Sequence, residues 1–222
     1  IGNCMYKILV ADDHPLFRDA VINIISQTFP ESEIFESEDI ESTLAIAKET
    51  NDIDLILLDL NMPGMSGLAG LLDLRNHYPT IPVVIISAET EKQVILQTIA
   101  YGAVGFIAKS SAKNIIGEAL ESIFEGNVYL PADIIRSQTS LNSTKEFEVS
   151  PDKMFLLTRR ELMVLQHLTK GEANKKIAFN LNISETTVKS HVSSILKKLG
   201  ASNRVKVVVG CSGIDFNQYL KR

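Results

Sequence analysis

Cysteine is almost absent from this chain, with Cys4 and Cys211 the only two. Neither stands in a CxxC pair or beside a histidine-rich stretch, so neither a disulfide framework nor a zinc site is indicated, and a reducing, cytosolic setting is expected. Long apolar runs are missing too. No stretch of 18 apolar residues occurs, so no membrane-spanning helix is expected. The N-terminus lacks the pattern of a secretory signal, and Ile1–Cys4 ahead of Met5 reads as an appended remnant. No internal repeat is found.

What is present is enough apolar residue, 45% of 222, to build real cores in two ordinary domains. The net charge of −5 conceals a division. Residues 1–150 carry 9 Lys+Arg against 22 Asp+Glu, a net −13, whereas residues 151–222 carry 13 against 5, a net +8. The basic segment points to a polyanion, with nucleic acid the first candidate.

The first 126 residues alternate short apolar runs with segments of helical period, the pattern of repeated βα units on a parallel sheet. Strands are expected near 6–11, 33–38, 54–59, 81–87 and 105–108, and helices near 15–28, 40–50, 67–77, 91–101 and 112–125. The first, third and fourth strands are apolar almost throughout, as helix-covered strands must be. Glu33–Glu38 alternates instead and should lie at an edge. The fold class is therefore α/β: a doubly wound, five-stranded parallel sheet followed by a small all-α domain. Asn127 to about Met154 breaks the rhythm, and the polar stretch Ser137–Thr144 reads as linker, with one helical turn expected over Ala132–Arg136. The division is residues 5–126, a linker over 127–153, and a helical domain over 154–222.

Ligands collect at the carboxyl ends of strands in an open parallel sheet. Here those ends carry Asp12 and Asp13, Asp59, Ser87 and Lys109. Any one of these acids alone would be read as a turn residue or helix cap. Three carboxylates, a hydroxyl and an ammonium on four strand ends form instead a divalent-metal and phosphoryl site.

In order and spacing, Asp12-Asp13, Asp59, Ser87 and Lys109 resemble the receiver domain of two-component response regulators over residues 5–126. The resemblance implies that Asp59 accepts a phosphoryl group from a sensor histidine kinase. It implies Mg2+ held by Asp12, Asp13, Asp59 and the carbonyl of Asn61, with Lys109 and Ser87 contacting phosphoryl oxygens. It also places Phe106 where the family has a switching aromatic, and from the residues alone a plain core aromatic is equally expected there. Asn61 and Glu89 flank the site.

From Leu157 the pattern is helical only. Thr158-Arg159-Arg160-Glu161 has the form of a capping box, Gly171 ends that helix, and a short helix spans about Asn174–Leu181. Ser184 caps a longer helix that Gly200 stops, and a last helix starts after Ser202. The motifs Leu157–Glu161, Asn174–Ala178, Thr187–Val192 and Lys197–Leu199 resemble the LuxR/NarL-type helix-turn-helix over residues 155–210. Ala173 departs from that pattern, which has a small hydroxyl residue there. Val188, Val192, Ile195, Leu196 and Leu199 should pack inward. By the resemblance Lys189, Ser190 and Ser193 read bases, while Lys175, Lys176, Thr187, Lys197, Lys198 and Arg204 are placed at phosphates, each lysine being equally readable as a solvated charge.

The whole chain is thus expected to be a cytoplasmic, phosphorylation-controlled transcription factor that dimerises on activation, binds paired half-sites on DNA, and works with RNA polymerase. At rest the acidic domain is expected to dock on the basic one. Two other classes stay open on residues alone: a metal-dependent phosphatase using the acidic rim, and a constitutive DNA-binding module with a vestigial receiver.

Overall fold

Five short strands, β1 (Lys7–Ala11), β2 (Glu33–Ser37), β3 (Leu55–Leu58), β4 (Val83–Ser87) and β5 (Gly105–Ala108), pair in parallel in the order β2-β1-β3-β4-β5. The molecule is described by a computed structural model covering residues 5–50, 52–131, 133–134, 149–201, 204–211 and 214–220. Those residues fall into two compact units, one from residues 5–123 and 128–134, the other from 124–127 and 149–220.

In the first unit the strands alternate with α1 (Pro15–Thr28), α2 (Ile40–Glu49), α3 (Ala69–His77), α4 (Lys92–Ala100) and α5 (Lys113–Phe124). β1, β3 and β4 are buried from end to end apart from Lys7, because helices cover both faces. β2 stands at the sheet margin as its alternating sequence requires, and its outward residues are charged. Leu9, Ile56, Leu58, Ile85 and Phe106 form the centre of the core. Each helix contributes an apolar stripe to it or to the opposite face; in α5 the stripe is Ile116, Ala119, Leu120 and Ile123. Asp39 caps α2 by accepting from the Ser42 amide, which holds its carboxyl below the usual range.

The sequence reading ends this unit at 126, and the structure carries it further. Tyr129 bridges in parallel to Gly105, with the Phe106 amide donating to the Tyr129 carbonyl at 2.9 Å. Leu130 packs on the core and Ile134 is buried in it. Val128-Tyr129-Leu130 is too short to register as a strand on its own. Of the helical turn expected over 132–136, Asp133 and Ile134 are helical, and the stretch 137–144 lies outside the described residues.

The second unit is helical: α6 (Pro151–Met154), α7 (Arg159–Thr169), α8 (Asn174–Leu181), α9 (Glu185–Leu199), α10 (Arg204–Gly210) and α11 (Asn217–Leu220). It begins earlier than 154, since Val149 and Met154 are buried in its core and the Lys153 ammonium donates to the Leu199 carbonyl at 2.8 Å. Val188, Val192, Ile195, Leu196 and Leu199 of α9 all face that core. Gly200 ends α9 in the left-handed conformation, φ 72°, that glycine adopts without strain. Among the described residues no helix is long and apolar enough to cross a membrane.

Candidate functional site

The acidic rim is built by backbone bonds that run one residue past each strand. The Asp59 amide donates to the Ala11 carbonyl at 2.9 Å, the Asp12 amide to Ser37 at 3.0 Å, and the Lys109 amide to Ser87 at 2.8 Å. These bonds fix where each side chain leaves the sheet. β1 and β3 are neighbours at the point where the strand order reverses, so Asp12 and Asp59 emerge side by side.

Asp12, Asp59 and Ser87 are wholly buried, and Asp13 is partly so. The Lys109 ammonium donates to Asp59 Oδ2 at 2.7 Å and stands 2.7 Å from Asp12 Oδ2 as an ion pair, although that oxygen accepts no hydrogen bond. Its flank rests on the Phe17 ring, 4.9 Å to the centroid. Arg18 donates to the Asp12 carbonyl at 2.6 Å and to Glu36 at 2.9 Å, bracing the loop from behind. The Asn61 amide donates to Asp59 Oδ1 at 3.2 Å, and Ser87 Oγ accepts from the Glu89 amide at 3.2 Å. Beyond Asn61, Gly64 turns the chain at φ 79°, where a Cβ would meet Ile40 Cγ2 at 2.7 Å. Phe106 is fully buried.

The structure thus brings Asp12, Asp13, Asp59 and Lys109 together, with Asn61 at the mouth. It adds His14, which the sequence reading passed over. Its Nδ1 lies 2.7 Å from Asp13 Oδ1, 3.3 Å from Asp12 Oδ1 and 4.0 Å from Asp59 Oδ2. One ligand atom from each of Asp12, Asp13, His14 and Asp59 fits within 4.8 Å of all the others. The signal was present in the direct run Asp12-Asp13-His14. Asp13 Oδ1 is buried without a hydrogen bond. Three carboxylates against one ammonium leave two negative charges, and the donor atoms are mostly oxygen, so the rim fits a small divalent cation.

In the helical unit, α7 opens with both halves of the capping box, Thr158 Oγ1 accepting from the Glu161 amide and Glu161 Oε2 from the Thr158 amide. Glu161 is buried and also receives Lys198 at 2.7 and 2.8 Å and Ser194 at 2.6 Å, both from α9. Burial alone would raise its carboxyl; the bonds from Lys198, Ser194 and Thr158 outweigh that and hold it at about 2. Lys198, expected at a phosphate, is held by Glu161 in the α7–α9 packing with its side chain 31% exposed.

On the outer side of α9, Ser190, Ser193 and Lys197 are exposed, and Lys189 is half-buried with Nζ 3.4 Å from Glu185. Thr187 is exposed beside the cap Ser184. Lys176 is exposed and Lys175 half-buried on α8, whose N-cap, Ala173, makes no side-chain bond, as its lack of a hydroxyl dictates. Arg204 is half-buried, donates to the Glu172 carbonyl at 3.0 Å, and is lowered by desolvation to about 10, so it stays charged at neutral pH. Burial pushes the Cys211 thiol up to about 11, which leaves it unreactive.

Two family models match the chain: the response regulator receiver domain over residues 8–121 and bacterial regulatory proteins of the luxR family over residues 156–210. The chain is 57% identical to the glycerol metabolism activator of Pseudomonas putida, over 98% of this chain and 100% of that protein. It is 36% identical to the nitrate/nitrite response regulator NarP of Escherichia coli (strain K12), over 92% and 93%. The RcsB response regulator of Salmonella typhimurium shares the fold, with a TM-score of 0.57 at 21% identity over 96% of this chain and 100% of that one.

Proposed function

The chain belongs to the response regulators that join a receiver domain to a luxR-type DNA-binding domain, and on that premise we propose that phosphorylation of Asp59 controls its dimerisation and its binding to DNA. The observation that carries this reading is the placement of Asp59, wholly buried at the rim with an ammonium 2.7 Å from Oδ2. A carboxylate is a weak nucleophile, so positioning and charge neutralisation must drive the transfer.

The donor is the phosphohistidine of a sensor histidine kinase. An Asp59 oxygen forms a bond to phosphorus as the phosphorus–nitrogen bond breaks, and the electron pair of that bond stays on the donor imidazole. Lys109 neutralises charge on the phosphoryl oxygens, and the Ser87 hydroxyl donates to one of them. Asp12, Asp13, Asp59 and the Asn61 carbonyl would hold Mg2+, which when bound offsets the negative charge shared by the carboxylates and the incoming phosphoryl group. Ser87, drawn toward the phosphate, vacates space into which Phe106 turns, shifting a two-state receiver.

In the helical unit Lys189, Ser190 and Ser193 read base edges from the major groove, and Lys175, Lys176, Thr187, Lys197 and Arg204 contact phosphates. The dimer meets paired half-sites. The Pseudomonas putida relative is an activator of glycerol metabolism; extended to this chain, the reading is activation of related genes through RNA polymerase.

Genomic footprinting with and without a small phosphodonor tests this. Wild type should gain protected sites when the donor is added, and Asp59→Asn should gain none. A gain undiminished in the Asn variant would remove Asp59 from the switch.

A further inference from the structure

We propose that His14 is a ligand of the cation at the acidic rim, and that it tilts the site toward borderline transition-metal dications such as Co2+ and Ni2+. The proposal rests on the reading of the rim as a metal site. Carboxylates and carbonyls suit Mg2+, Ca2+ and Mn2+, whereas an imidazole nitrogen adds affinity for the later first-row ions.

Helix capping does not account for the placement of His14. It is the N-cap of α1, yet its side chain makes no capping bond to that helix. Its backbone amide donates to Asp12 Oδ1 at 2.8 Å, which turns the residue over the carboxylates. Nδ1 then comes within 2.7 Å of Asp13 Oδ1, and that buried oxygen still accepts no hydrogen bond. Nδ1 also makes a hydrogen bond to Asp12 Oδ1 at 3.3 Å, toward the long end of the range.

The spacing is close to that of ligands sharing an ion, with the four candidate ligand atoms within 4.8 Å of one another. Around an octahedral cation with bonds near 2.1 Å, adjacent ligand atoms lie about 3 Å apart and opposite ones about 4.2 Å. His14 Nδ1 is 2.7 and 3.3 Å from the oxygens of Asp13 and Asp12, and 4.0 Å from Asp59 Oδ2. The oxygens of Asp12 and Asp13 thus lie at the separation of neighbouring ligands from His14, and Asp59 Oδ2, which also accepts from Lys109, lies farther off. With a side chain 63% exposed, the ring adjusts to an arriving ion without disturbing the core.

Calorimetric titration of the full chain with Co2+ and with Mg2+, backed by the visible absorption of bound Co2+, tests the proposal. His14→Ala and His14→Gln should each weaken Co2+ by about tenfold or more and Mg2+ by less than about threefold, and should shift the Co2+ bands. Equal weakening of both ions, or of neither, with unchanged bands would overturn the role of His14 while leaving the metal reading intact. Asp13→Asn separates the two: if it leaves Co2+ and Mg2+ binding at wild-type strength, or if wild type binds neither ion, the rim is not the site and both readings fall.

Discussion

Lys109 Nζ, 2.7 Å from Asp59 Oδ2, is held there from the last strand by a backbone bond to Ser87 and from below by the Phe17 ring. The same ammonium faces Asp12, so one cation serves two fully buried carboxylates. Removing it leaves both uncompensated. Lys109→Ala should cost about 3–5 kcal/mol of stability in urea unfolding, the cost expected when one partner of a buried pair is lost. Added divalent cation should return part of that loss. Wild-type stability in the variant would show that the carboxylates are not charged as described.

The excess of two negative charges makes a second prediction. Millimolar Mg2+ should raise the melting temperature of wild type, by an increment worth about 2.7 kcal/mol once the ion is at a hundred times its dissociation constant. Asp13→Asn should melt higher than wild type without metal, because it relieves repulsion, and should lose the increment. Scanning calorimetry reads both, and an Asn variant that responds fully to Mg2+ would count against Asp13 as a ligand.

Glu161 sets the acid limit of the helical unit. Its carboxyl is lowered from 4.5 to about 2 in the folded chain, so its contribution is present above pH 4.5 and disappears as pH falls toward 2. A shift of that size on a side chain 5% exposed is worth roughly 3 kcal/mol. Glu161→Gln should be less stable at neutral pH and should flatten the pH dependence of unfolding over that window. Parallel acid limbs in the two proteins would argue that another group controls it.

Among the basic residues, Lys176 and Lys197 are exposed. Each, changed to Ala, should weaken DNA binding across all sequences and reduce the slope of log affinity against log salt by about 1. Ser190→Ala and Ser193→Ala should leave the slope alone and alter discrimination between sites. Lys198→Ala should behave differently from its neighbour, with the loss appearing as lower thermal stability. Fluorescence anisotropy at several salt concentrations distinguishes these outcomes.

Much of this was legible in the chain because local pattern and global fold agree. The apolar run Leu55–Leu58 ends on Asp59, and a buried parallel strand must end at its ligand rim, so sequence order alone gathered the carboxylates. The capping box was legible for the same reason, being a contact three residues apart. The pairing of Lys198 with Glu161 was not legible because the two lie 37 residues apart, and no local signal distinguishes an exposed lysine from one folded back onto a glutamate. His14 was overlooked because a residue before Pro15 reads as helix entry. Its ring orientation depends on the amide bond to Asp12, a tertiary detail.

The bridge between Gly105 and Tyr129 has a practical consequence. With the Phe106 amide engaged by Tyr129, the outermost strand offers no open ladder there to a foreign chain, which guards against fibre-like stacking. A fragment truncated at residue 126 would strip that cover and uncover the seat of Ile134. Soluble expression of the isolated N-terminal portion therefore calls for a stop codon placed after residue 134.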